Sequence, residues 1–214
     1  MSEMLKLVVF LGALTSGVLY ASEQAAFPPK CTDPECDRTA QAVEWPKPLS
    51  GKTIEVQVGR FVINVPARPV DKMGSYASDV TFRYEGGGGY SLGVVSKKQF
   101  PMLEGTQYTL YDLIDITFTK TSKDPEPTAS KDLLVWRSAL TINKSLFFKD
   151  AVVYVAEKGD LKLFYTKRDA AMPRNSSSPV VVLDRADKHS HLTIGVTGVD
   201  FETFISSVAT VRRK

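Results

Sequence analysis

Two cysteines, two histidines and one run of four glycines are the residues in this 214-residue chain whose types and spacing raise a question of chemistry. Cys31 and Cys36 stand close together in KCTDPECD. In an oxidising compartment such a pair forms one disulfide, and so short a loop gains about 2 kcal/mol, enough to fix a local turn. Half of a zinc site is the competing chemistry, but the two missing ligands would have to come from His189 and His191, far away in sequence. In ADKHSHL, alternation along a strand would place Asp187, His189 and His191 on one face, where a fourth ligand would complete a weak divalent site. A polar start to a strand is the plainer reading.

EGGGGY, Glu85 to Tyr90, holds four of the fourteen glycines. A phosphate cradle needs backbone N–H groups aimed at the anion from the start of a helix. Here YSLGVV follows, which reads as a strand, and no Gly-Lys-Ser/Thr accompanies it. The expectation is a flexible hairpin connection. No G-x-S-x-G elbow places a nucleophile near either histidine, so the expectation is a non-enzyme with no metal and no cofactor. The aromatic pairs Tyr108/Tyr111 and Phe147/Phe148 read as core filling more readily than as interface anchors.

The elements that would carry these residues are mostly strands. Thr53 to Val58 and Arg60 to Val65 alternate around Gly59, and Pro66 ends the second. Asp79 to Tyr84 and Tyr90 to Ser96 flank the glycines. Ala151 to Ala156 and Leu161 to Thr166 are joined by EKGD, whose Gly159 suits a hairpin, and Val180 to Leu183 with Leu192 to Val196 make another pair. Gln107 to Asp115 predicts a short helix running into a strand at Ile116 to Thr121. Leu133 to Ile142 and Leu146 to Phe148 are apolar runs without a clear period. Asp200 is a natural N-cap for a final helix, with Phe201, Phe204, Ile205, Val208 and Val211 on one face. The expected fold class is α+β: a mostly antiparallel sheet with a packed C-terminal helix and one or two further short helices, all on one side.

Met1 to Lys6, LVVFLGAL and then TSGVLYAS have the order of a secretory signal, with Ala21 as its last residue. The apolar run is shorter than the roughly 20 residues of a spanning helix, so no integral membrane segment is expected after its removal. The domain reading is 1–21 signal peptide, 22–48 extended proline-containing segment with the disulfide, and 49–214 a single α+β domain. Lys plus Arg is 27 and Asp plus Glu is 24, a net charge of +3. The basic residues are dispersed, which argues against nucleic acid as a partner.

VGRFVINVPA, Val58 to Ala67, resembles the opening strand of the type VI secretion lipase immunity family, in which a Gly-Arg-aromatic stretch leads into an apolar strand ended by Pro-Ala. The resemblance implies an exported protein of a Gram-negative bacterium that binds a secreted toxin in the periplasm and blocks its active site. Contacts would then fall on surface loops. The candidates are Glu85, Gly86, Gly87, Gly88, Gly89 and Tyr90 in the glycine hairpin, Lys123, Asp124 and Glu126 in SKDPEPTASK, and Arg174 and Asn175 in MPRNSSSP. The alternative is a non-catalytic envelope protein with a lipid or cell-wall ligand.

Overall fold

The computed structural model describes residues 28–76, 78–148, 151–166 and 180–214. The expected signal segment and the loop with Arg174 and Asn175 lie outside the described residues. The strands are β1 Gln41–Ala42, β2 Thr53–Val58, β3 Phe61–Pro66, β4 Val70–Tyr76, β5 Asp79–Tyr84, β6 Gly89–Ser96, β7 Val153–Lys158, β8 Leu161–Thr166, β9 Val180–Asp184, β10 Asp187–Thr197 and β11 Arg212–Arg213. The helices are α1 Leu110–Thr119, α2 Ser130–Ser138, α3 Lys144–Phe147 and α4 Phe201–Val208, with a π-helical turn, Ala139–Asn143, joining α2 to α3. The fold is α+β.

Eight strands form one sheet in the order β1-β7-β8-β9-β10-β6-β5-β4, and β11, β3 and β2 form a smaller one. Only β1 with β7 is parallel among the described pairs. The central strands are buried on both faces, which is why β9 reads VVVLD with every residue buried. Their alternate side chains feed two cores. Val180, Val182, Leu192 and Ile194 meet the small sheet and Phe204, Ile205 and Val208 of α4. Val181, Leu183 and Phe164 meet Leu113, Phe118, Val135 and Leu140 from the other helices.

Helices therefore cover both faces rather than one, because a sheet buried on both sides must be covered on both. A second correction concerns Ile116 to Thr121. The alternation of β-branched residues predicts a strand there, but α1 continues to Thr119. Leu110, Leu113, Ile114, Thr117 and Phe118 are all buried at helical spacing. Thr117 and Thr119 satisfy their hydroxyls on the carbonyls one turn back, Leu113 at 3.0 Å and Asp115 at 2.8 Å. Thr109 and Asp112 close the N-terminus of α1 as a reciprocal capping box.

The predicted EGGGGY hairpin is present: β5 and β6 pair antiparallel, with Arg83 opposite Gly89. Gly86, Gly87 and Gly88 all have positive φ, a region that side-chain-bearing residues seldom adopt. The N–H of Tyr84 donates to the Gly88 carbonyl at 2.8 Å and closes the turn.

Candidate functional site

The histidine reading dissolves in the structure. A register shift between Asp187 and His191 breaks the alternation that would align them. Asp187 turns to Arg60 at 2.7 Å and to Ser190 at 2.7 Å. His189 is exposed, whereas His191 is buried, with Nδ1 lacking a partner, and burial pulls its pKa down to about 4. Among the described residues no group of three His, Cys, Asp or Glu side chains could hold a metal.

The N-terminal segment is held against the helical layer around the Cys31–Cys36 disulfide. The Lys144 ammonium, fully buried, donates to the carbonyls of Cys36 at 3.2 Å, Arg38 at 2.5 Å and Lys120. Burial lowers its pKa to about 8, with Asp124 and Asp37 opposing that shift. Three oriented carbonyls supply what a counter-ion otherwise would. The candidate loop residues beside this clamp have structural duties. Lys123 pairs with Asp37 at 3.0 Å. Asp124 accepts from the Thr121 N–H at 2.8 Å, and Glu126 takes a two-pronged ion pair from Arg137 at 2.8 Å and 3.1 Å. Hydrogen bonding from Thr121 and from Arg137, respectively, holds these two carboxyls below their ordinary pKa.

The glycine hairpin stands at the other side of the large sheet, so the structure does not bring the two candidate loops together. Glu85, Gly86 and Gly87 are exposed, but Gly89 and Tyr90 are buried. Tyr90 stacks on Phe82 with ring centroids 5.4 Å apart and shares a hydrogen bond with Ser207 at 3.0 Å. Its phenol, pushed up to about 12 by burial, belongs to the core. A partner at this hairpin would therefore meet only Glu85 to Gly87 and the flank of Gly88.

Beside the hairpin lies β4, an edge strand among the described residues. The Glu85 N–H donates to the Pro69 carbonyl at 3.0 Å, and Arg83 pairs with Asp71, so loop and edge form one surface. All seven residues of β4 are exposed, with Met73 at 69% and Tyr76 at 84%.

A second feature lies on the opposite half of the sheet. The segment Val43–Leu49 crosses it as a strap. The Val43 N–H donates to the Val155 carbonyl at 2.9 Å, the Trp45 indole to Ala209 at 2.9 Å, and the Leu49 N–H to Ser206 at 2.9 Å. Lys158 also sits 5.9 Å from the Trp45 ring centroid. Between strap, β7–β8 and α4 opens a cleft of about 400 Å³, lined in part by Lys47, Tyr154, Tyr165, Phe201 and Glu202. Tyr154 and Tyr165 are opposed across the β7–β8 register, with centroids 5.4 Å apart and planes at 30°. Tyr165 lies 6.4 Å from Phe201 at 36°. Burial, then Tyr154 and Glu202, raise the Tyr165 pKa. Sequence reasoning missed this cleft, since its walls come from three distant segments.

No helix among the described residues is long and apolar enough to cross a membrane. No family model and no curated protein matches the chain. Among solved structures it is similar to a crystal structure from Bacteroides thetaiotaomicron, at 11% identity and a TM-score of 0.39, over 78% of this chain and 49% of that one. The chain thus spans about half the length of that protein, and a likeness this distant says nothing about function.

Proposed function

We propose that the protein is an immunity-type binding protein, exported to the periplasm of a Gram-negative bacterium, that docks on a toxic effector of a type VI secretion system and covers its active site. The open β4 edge carries the reading. An edge strand presents unpaired N–H and C=O groups, and β-strand addition uses them for affinity while adjacent side chains supply selectivity. Met73 and Tyr76 are exposed anchors of the kind that interfaces enrich, and Glu85 to Gly87 extend the same surface. The Cys31–Cys36 disulfide suits an oxidising compartment. Val58 to Ala67, the stretch that resembles the immunity family, spans the end of β2 through β3.

Co-purification of the full chain from its native host, with the bound protein identified by mass spectrometry, tests the reading. A secreted toxin should be recovered with the wild-type chain, and Met73→Asp with Tyr76→Asp should weaken capture by at least about tenfold. Recovery of uncomplexed protein alone, in cells that express secreted toxins of this class, would sink it.

A further inference from the structure

We propose that the cleft beneath the strap is a saccharide-binding site, distinct from the β4 edge and independent of what docks there. Three observations carry this. The first is the shape of the floor. Tyr154, Tyr165 and Phe201 follow one another with centroids 5.4 Å and 6.4 Å apart and planes inclined at 30° and 36°, a tilted row rather than a box of near-perpendicular rings. A box of rings suits a compact cation, as in aromatic cages. A row of rings along one wall suits an extended ligand with apolar faces.

The second is the chemistry of the rim. Lys47, Glu202 and Ser206 line the cleft beside Tyr154, Tyr165 and Phe201. Lys47 and Glu202 are both exposed, so a donor and an acceptor stand within a ligand's reach. A pyranose ring has this division: C–H faces that stack on an aromatic plane, and hydroxyls around the edge that both donate and accept. An acyl chain would make no use of the rim, and a simple cation would meet Lys47 as a like charge.

The third is rigidity. The strap is fixed at both ends and in the middle by bonds to β7 and α4, so its wall exists before the ligand arrives. A volume of about 400 Å³ is within the range of small-molecule sites. Tyr165 and Phe201 are half-buried and already packed on the core, so little of their side-chain freedom is lost on binding.

The full chain should be titrated with linear tetrasaccharides of glucose and of N-acetylglucosamine, followed by calorimetry and NMR. At least one should bind saturably at millimolar concentration or below and shift the resonances of Tyr154, Tyr165 and Phe201. Tyr165→Ala should weaken it about tenfold, whereas Tyr165→Phe, which keeps the ring, should weaken it about threefold or less. If Tyr165→Ala fails to fold, Glu202→Gln at the exposed rim serves in its place, with severalfold weaker binding expected. Absence of saturable binding by either sugar, or binding insensitive to these substitutions, would overturn the proposal. Occupation of the cleft by a proline-rich peptide or a fatty acid with no competition from saccharide would overturn it equally. None of these outcomes bears on capture of a protein at β4.

Discussion

His191 is neutral in the fold, and its acid behaviour follows. Burial holds its pKa near 4, against 6.5 in the open chain. Between those values the unfolded state binds more protons than the folded one, so stability rises with pH across that window. Urea unfolding should show a loss on the order of 3 kcal/mol as pH falls from 6.5 to 4. A His191→Leu variant should lose most of that slope, and an unchanged slope would mean that His191 is not the group responsible. Asp124 and Asp187, whose pKa values are lowered, add their losses at lower pH. Neither the burial nor the orphaned Nδ1 was legible in ADKHSHL. Asp187 pairs instead with Arg60 in the β2–β3 turn, more than a hundred residues earlier in the chain.

At the scale of the element, the glycine hairpin shows how far local reading reaches. EGGGGY was legible as a turn because it has no side chains to pack and sits between two β-rich runs. Which of its glycines lack room for a side chain was not legible: a Cβ at Gly89 would run into the Phe82 carbonyl across the hairpin, and the limit on Gly88 lies far along the chain. A Cβ at Gly88 would stand 2.8 Å from the Gly198 carbonyl oxygen, backbone against backbone, whereas one at Gly86 would meet nothing. Both have positive φ, so each alanine carries a conformational cost of about 1 kcal/mol. Gly88→Ala should cost more than Gly86→Ala by at least about 1 kcal/mol in equilibrium unfolding, because neither backbone can yield cheaply. Equal costs would show that the Gly88–Gly198 approach relaxes freely. β4 escaped sequence reading for the opposite reason: with neither face buried, VDKMGSY has no alternation to detect.

The whole molecule divides its apolar residues between two cores, and the N-terminal segment serves both sides of the sheet. Cys36 and Arg38 are clamped by Lys144 to the helical layer, and Trp45 is fixed to the end of α4. The disulfide is thus one fastening among several. Replacing Cys31 and Cys36 together by serine should lower stability by about 2 kcal/mol and leave the far-ultraviolet circular dichroism unchanged. Loss of that spectrum would mean that the crosslink organises more than its own turn. The central strands were legible because burial on both faces leaves unbroken apolar runs. Strand order was not, because β1 finds β7 across more than a hundred residues. The cleft was invisible for the same reason.

The distant closures also bear on when the chain can fold. Trp45 is separated from its acceptor, Ala209, by 164 residues, and β3 gains its outer neighbour only from Arg212 and Arg213. Contacts of such long range form late and make folding slow. A chain emerging from the ribosome cannot lock Trp45 of the strap until Ala209 is made, nor pair β3 with β11 until Arg212 and Arg213 follow.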